Sequence, residues 1–383
     1  MQKRIYLCLA HTCGEEMKYI QEAFDTNWVV PLGPNVNEFE RALEYYLNCG
    51  MQSKTVALAS GTSAIHLALV ALGVDKGDEV IVQSFTFCAS ANPVIYQGAT
   101  PVFVDSELDT WNIDPQLLEK AIVDRMEKTG RKPKAIIPVT LYGMPYDVKS
   151  VMEISRKYDI PVIEDSAEGM GSTYEGKHLG TFGAFGVMSF NGNKMITTSG
   201  GGALIINPGC GMPVEEMKAR VLYFATQARQ PMPFYHHTEI GYNYRMSNIC
   251  AGIGRGQMTV VESHVAHHKH VHNLYCQLLA DVNGLEVKCV PDKAYDSNYW
   301  LTTITLDSCN PDTVIKKLDE AGAESRHLWK PLHMQPIFTG CPAYVNGVSE
   351  HLFKNGICLP SGPMVTDEDV TLIANTIKST INE

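Results

Sequence analysis

Residues 55–72 read TVALASGTSAIHLALVAL: a β-rich run, a small polar break and an apolar stretch. Thr55–Ala59 predicts a strand and Ser63–Leu72 an apolar helix. The break between them, Ser60-Gly61-Thr62, puts unpaired backbone N–H groups and a hydroxyl at a helix start, which suits an anion. Gly61 lets the backbone come close to such a ligand. Taken alone, the same residues fit a simple N-cap turn, and no GxxxxGK[ST] Walker loop occurs.

The alternation continues outward. Glu79–Gln83, Pro101–Asp105, Ala135–Val139, Pro161–Asp165, Phe185–Phe190 and Gly202–Asn207 predict further strands, and Pro115–Lys128 and Asp147–Tyr158 predict helices. Short apolar runs separated by helices imply an α/β fold with a largely parallel sheet covered on both faces. From about residue 251 the texture changes. A long helical stretch runs from Met258 to Ala280, a strand spans Tyr299–Leu306, and helices span Pro311–Ala321 and Asp367–Ile381. Thr366-Asp367 is a plausible N-cap for the last helix. A chain of 383 residues exceeds what one core usually fills. The expectation is a large domain over residues 1–250 and a smaller α/β domain over residues 251–383.

Charge narrows the function. Lys and Arg number 31 against 42 Asp and Glu, a formal net charge of −11. That argues against nucleic-acid binding and against a polybasic membrane surface. Ile5–Ala10 is too short an apolar run for a signal segment or a membrane helix, so a cytoplasmic location is expected. Eleven cysteines are scattered from Cys8 to Cys358 with no CxxC pair, which reads as reduced thiols and not as a disulfide framework or zinc knuckle.

Four further constellations could carry chemistry. Val162-Ile163-Glu164-Asp165 places Asp165 at the carboxyl end of a buried strand, the edge where open α/β sheets bind ligands. A carboxylate there could pair with a cation, or simply cap the following helix. Ser189-Phe190-Asn191-Gly192-Asn193-Lys194 and the following MITTSGGG set one lysine in a loop of small and amide residues between two apolar strands. Its amine could form a Schiff base with an aldehyde, or stand in solvent. Gly241–Asn248 (GYNYRMSN) mixes aromatic, amide and guanidinium groups suited to an anion or another subunit. His264, His268 and His272 would share a helix face at i, i+4, i+8, with His267 and His270 nearby. Without interleaved acids after Glu262, and with no cysteine partner expected, that face is read as packing or solvated surface and no metal is expected.

An anion-binding helix start, a strand-end Asp and a glycine-flanked Lys, in that order, point to pyridoxal phosphate. Its phosphate needs an anion site, its ring nitrogen a carboxylate, and its aldehyde a lysine. The sequence also resembles the nucleotide-sugar aminotransferases of the DegT–StrS type, within fold type I of the pyridoxal-phosphate enzymes. The resemblance covers nearly the whole chain. It runs through NWVVPLGPNVNEFE from Asn27, ASGTSAIHLAL, SFTFCASANPV, IEDSAEGMGSTYEGKHLGTFG, SFNGNKMITTSGGG and GYNYRMSNICAGIGRGQ to WKPLHMQPIF and LPSG.

The resemblance implies roles. Lys194 falls where the family has its Schiff-base lysine, which also moves the proton between cofactor and substrate carbon. Asp165 matches the partner of the ring nitrogen, and Phe87 an aromatic stacked on the ring. Gly61, Thr62 and Ser189 match phosphate ligands. Asn243 matches a phosphate ligand from the neighbouring subunit, which implies a homodimer with shared active sites. Glu168 departs from the commoner Gln that bonds the cofactor's 3′ oxygen. Related sugar dehydratases carry His in place of Lys194, so a retained lysine favours transamination. L-glutamate would give up its amine, and a keto sugar on a nucleotide diphosphate would receive it. TQARQPMPFYHHTEIGYNYRMSN with SFNGNK looks closest to members that aminate C4 of a UDP-linked 4-keto-6-deoxy-N-acetylhexosamine for surface glycans. Asn27, Trp28, His236, Trp329 and His333 are implied substrate contacts. A C3 aminotransferase of a dTDP-keto sugar and a non-catalytic, cofactor-binding regulatory protein are the competing readings.

Overall fold

A computed structural model of the chain describes residues 4–48, 52–307 and 309–382. The predicted strands form at Lys54–Leu58, Glu79–Gln83, Thr100–Val104, Ala135–Ile137, Ile163–Asp165, Phe185–Ser189 and Gly202–Ile206. Side chains alternate across the sheet with the period of two that strand geometry imposes. Val56, Leu58, Val80, Val82, Leu204 and Ile206 join one core cluster. Ala57, Ala203 and Ile205 face a second, and Ile81 a third. Both faces are therefore buried, which is why these strands read as continuous apolar runs.

The strands pair in two four-stranded groups. Parallel bridges between Ile136 and Val162 and between Val139 and Asp165 connect them. The resulting order is Ala343–Tyr344, Thr100–Val104, Glu79–Gln83, Ala135–Ile137, Ile163–Asp165, Phe185–Ser189, Gly202–Ile206, Lys54–Leu58. Only Gly202–Ile206 runs antiparallel to its neighbours; the other pairings are parallel. Asp165 and Ser189 thus end their strands at one edge, where Gly202 begins the reversed strand.

Helix Gly61–Ala71 buries Ala64, Ile65, His66, Leu67, Ala68 and Leu69. A helix apolar on all sides has to be enclosed. Here the sheet lies on one side, and Met217, Val221 and Phe224 of helix Val214–Ala225 belong to the same core cluster.

Two predicted elements differ from those observed. The long helix expected from Met258 starts at Val261, after a break that separates it from helix Asn248–Met258. The Thr259 hydroxyl donates to the Gly256 carbonyl at 2.7 Å, a local bond that competes with continuation through β-branched Thr259 and Val260. The strand expected from Tyr299 starts at Thr302. Tyr299 has φ +47°, and the Trp300 N–H is taken by the Asn298 side chain, so neither residue can enter a ladder.

Leu285–Val287, Thr302–Leu306, Gly356–Leu359 and Arg326–His327 form an antiparallel sheet in that order. Ile304, Leu306, Val314, Leu318, Ile357, Val370, Ile373 and Ile377 make its core with helices Pro311–Glu320 and Asp367–Asn382. Thr366 and Asp369 bond each other's backbone N–H reciprocally at the start of the last helix. This sheet lies wholly after residue 250, and all strands of the larger one but Ala343–Tyr344 lie before it. Ala343–Tyr344 and Ile5 cross that division, pairing with Phe103–Val104 and Ala323 respectively. Among the described residues, no helix is long and apolar enough to cross a membrane.

Candidate active site

At the edge where Asp165 and Ser189 end their strands lies a cavity of about 280 Å³. Its lining includes Ser60, Gly61, Thr62, Ser189 and Lys194, with Phe87 and Trp329 at its aromatic wall. Ser60 caps helix Gly61–Ala71 and exchanges bonds with Ser63, each side chain accepting the other's backbone N–H at 3.0 Å. That leaves the N–H groups of Gly61 and Thr62, which helix geometry cannot satisfy internally, at the cavity. A Cβ at Gly61 would stand 3.3 Å from the Ser189 Cβ, so glycine keeps the helix start and the serine together as one anion cradle.

Asp165 lies deep in the cavity. Its Oδ2 accepts the Ser90 hydroxyl at 2.6 Å and its Oδ1 the Ala167 N–H at 3.2 Å. Burial pushes its carboxyl above the usual aspartate range, and the Ser90 bond opposes that rise only in part. Such a group gains from a cationic partner. Glu168 is also buried and raised for the same reason, with the Lys194 ammonium opposing the rise. Its Oε2 accepts the Tyr142 N–H at 2.7 Å, and its Oε1 accepts from Lys194 Nζ at 3.1 Å. Lys194 Nζ stands 4.1 Å from the centroid of the Trp300 ring. The Trp300 indole donates to the Asn193 carbonyl at 2.6 Å, which ties this floor to the lysine's own loop.

Aromatic rings build the rest. Tyr142 stacks between Trp300 and Trp329, at 6.4 and 6.1 Å between centroids. Trp329 meets Phe87 at 5.4 Å. The Trp329 indole nitrogen is buried with no hydrogen-bond partner among the described residues. A buried orphan donor in a cavity wall suits a polar ligand.

An anion cradle, a carboxylate that needs a cation and an amine within one pocket fit pyridoxal 5′-phosphate. Comparison with known proteins agrees. A profile of the DegT/DnrJ/EryC1/StrS aminotransferase family matches residues 11–378. The chain belongs to that family. It is a pyridoxal-phosphate-dependent aminotransferase. EpsN of Bacillus subtilis, provisionally assigned as a pyridoxal phosphate-dependent aminotransferase, is 47% identical over 375 residues, covering 96% of this chain and 94% of EpsN. The GDP-perosamine synthase of Caulobacter vibrioides is 38% identical, covering 96% of this chain and 95% of the relative. Among solved structures, Spr1654 of Streptococcus pneumoniae, provisionally a sugar aminotransferase, superposes in its PLP-form with a TM-score of 0.90. The two chains are 28% identical, and the match covers 99% of each.

Within this family member the cavity brings together Gly61, Thr62, Phe87, Asp165, Glu168, Ser189, Lys194 and Trp329. Asn243, Asn27, Trp28 and His236 are exposed and outside it. His333 is half-buried beyond the wall, with Nδ1 2.7 Å from the Ser84 hydroxyl. Sequence reasoning missed Ser90, Tyr142 and Trp300. Ser90 stood inside the quoted SFTFCASANPV run. Tyr142 and Trp300 come from separate loops, and only tertiary packing stacks them.

The histidine face disperses into packing. His264 Nδ1 lies 3.0 Å from the Met195 carbonyl, and His268 Nδ1 3.3 Å from the Tyr299 carbonyl. His270 lies 2.8 Å from Asp367. His272 does find cysteines: it stands with Cys276 and Cys289, contrary to the expectation that no cysteine is near.

Proposed function

We propose that this nucleotide-sugar aminotransferase takes the amino group of L-glutamate and delivers it to C4 of a UDP-linked 4-keto-6-deoxy-N-acetylhexosamine, for surface-glycan synthesis. The observation that carries the reading is Lys194, held between Glu168 and Trp300 in the same cavity as Asp165 and the Ser60–Thr62 cradle. When bound, the cofactor supplies an electron sink for the carbon that loses its proton. Asp165 would keep a proton on the ring nitrogen opposite it. Gly61, Thr62 and Ser189 would hold the phosphate, and Phe87 would cover the ring. Lys194 Nζ would carry the proton to and from the substrate carbon. Trp329 would offer its unpaired indole N–H to an oxygen of the nucleotide sugar.

The same reading makes the enzyme a homodimer in which Asn243 reaches the partner's phosphate site. Supporting this, Asn243 is exposed on its own chain, and the neighbouring Phe234, Tyr235 and Ile240 expose 61%, 80% and 84% of their surface. Apolar exposure on that scale marks an interaction surface. Asn27, Trp28 and His236 would contact substrate from such a shared position, with His333 lining its approach. A cytoplasmic setting is part of the proposal, because cysteines without paired spacing suit a reducing compartment.

A second reading replaces UDP with GDP, favoured by the likeness to a GDP-perosamine synthase. The test is a substrate panel. Purified enzyme with L-glutamate is offered UDP- and GDP-linked 4-keto-6-deoxy sugars, and UDP- and dTDP-linked 3-keto sugars. Products are read by mass spectrometry and NMR. A 4-amino UDP sugar as preferred product supports the proposal; preference for a GDP sugar or for C3 replaces it. A cofactor band that does not respond to L-glutamate would imply another donor or a different reaction.

A further inference from the structure

We propose that His272, Cys276 and Cys289 form a zinc-type site that fastens helix Val261–Leu279 to the segment leading into Tyr299 and Trp300. Cys276 Sγ lies 3.4 Å from His272 Nε2, Cys289 Sγ lies 3.7 Å from the same nitrogen, and the two sulfurs are 3.7 Å apart. A tetrahedral Zn²⁺ with Zn–S of about 2.3 Å and Zn–N of about 2.0 Å has S–S edges of about 3.8 Å and S–N edges of about 3.5 Å. The three atoms already stand at the corners of one face of that tetrahedron.

The chain order explains how they meet. Cys276 is one helical turn beyond His272, so both project from one face of the helix. Cys289 follows strand Leu285–Val287, and the Lys288 N–H donated to the Thr303 carbonyl at 3.0 Å holds that crossing in place. The His272 ring is buried and lies flat on Tyr299, 3.5 Å between centroids and 6° between planes. That stack fixes the plane of the ring in which Nε2 faces the sulfurs.

The chemistry suits a soft divalent ion. Two thiolates balance its charge, and thiolate–imidazole sets select Zn²⁺ over Mg²⁺ or Ca²⁺. Binding would release the thiol protons to solvent. Cys289 is exposed, which leaves the fourth position to water. The consequence reaches the active site through one residue, because Tyr299 precedes Trp300, the ring beneath Lys194.

The test uses reduced, chelator-treated holoenzyme titrated anaerobically with Co²⁺. One equivalent per chain should give the red d–d bands of a tetrahedral thiolate site, displaced by one equivalent of Zn²⁺. Cys276→Ser and Cys289→Ser should each weaken Zn²⁺ binding by more than about 100-fold in chelator competition, beyond what loss of an outer partner costs. Cys341→Ser, outside the cluster, should change nothing. If the variants fold poorly, the wild-type chain still decides the matter: Zn²⁺ should protect Cys276 and Cys289 from alkylation, mapped by mass spectrometry. Absent d–d bands, bands that persist in the Cys276→Ser/Cys289→Ser double variant, or protection mapped to other thiols would overturn the proposal. None of these readouts depends on amino transfer.

Discussion

Glu168 and Lys194 form an ion pair, Oε1 to Nζ at 3.1 Å, in a pocket where their side chains are only 6% and 15% exposed. A glutamine, the commoner residue of the family resemblance, would keep the hydrogen bond and remove the charge. The carboxylate therefore changes electrostatics more than shape. Low exposure makes the change large, because little water screens it.

For Glu168→Gln, the fold should persist and the cofactor's visible band should titrate at lower pH. A nearby negative charge favours the protonated form of any nitrogen beside it, by about 1–3 pH units within 4–6 Å. Removing it moves the transition down by about 1 unit or more. Absorbance titration of the two holoenzymes checks this, and coincident curves would remove Glu168 from the electrostatic account.

Lys194→Ala should lower amino transfer by about 10⁴-fold or more, since on the proposed reading it deletes both the covalent anchor and the proton carrier. The protein should remain folded, because Lys194 sits in a loop and Glu168 can take up a proton once its partner is gone. Single-turnover assays with L-glutamate, read beside a thermal melt, separate the two effects. Retained transfer in a folded variant would sink the role given to Lys194.

Much of this was legible in the sequence, for a physical reason. Buried strands must be continuous apolar runs, so Glu79–Gln83 was predicted to the residue and its neighbours to within one or two. Lys194, Asp165 and Gly61 carry chemistry that few other residue types can, and each stands at or a few residues beyond the end of such a run. The Trp300–Tyr142–Trp329 stack left no comparable mark. Its rings come from three loops, and one of them depends on the positive φ of Tyr142. The Cys276–Cys289 pairing was hidden likewise, because a strand lies between the two residues.

Asp165 should make the apoenzyme sensitive to pH. Its folded carboxyl is raised above the ordinary value of 3.8, so the apo fold binds more protons than the unfolded chain in the window above that value. Stability then falls as pH climbs through the window, by linkage. A cation opposite Asp165 cancels the shift, so the gap in Tm between holo and apo enzyme should widen as pH rises. Asp165→Asn should flatten the trend; an equal slope in the variant would assign it to other groups.

Gly202 faces the turn that forms the anion cradle. A Cβ there would stand 2.4 Å from the Gly61 nitrogen and 2.4 Å from the Ser60 carbonyl carbon, both of them backbone atoms. Gly202→Ala must therefore displace the Ser60–Thr62 turn or bend the strand. Overpacking of this kind costs about 1–3 kcal/mol. Cofactor affinity should fall with it, measured by fluorescence titration of the apoenzyme. Gly200→Ala, where an added Cβ meets nothing within 4 Å, is the matched control.

Asn243 offers the most direct test of a shared site. It is exposed, bridges to Thr226 of its own chain and does not line its own cavity, which supports a role in the partner's site on the proposed reading. In a dimer, Asn243→Ala should weaken cofactor binding by about 10-fold, the worth of one hydrogen bond to a charged group. Mixed dimers sharpen the point. Unfolding and refolding Lys194→Ala with Asn243→Ala creates heterodimers in which one site joins an intact Lys194 to an intact Asn243. That site should regain wild-type cofactor affinity and turnover, although neither parent has both. If Asn243 instead served its own subunit, every site in the mixture would lack one residue, and activity would stay at the level of the Asn243→Ala parent's diluted contribution.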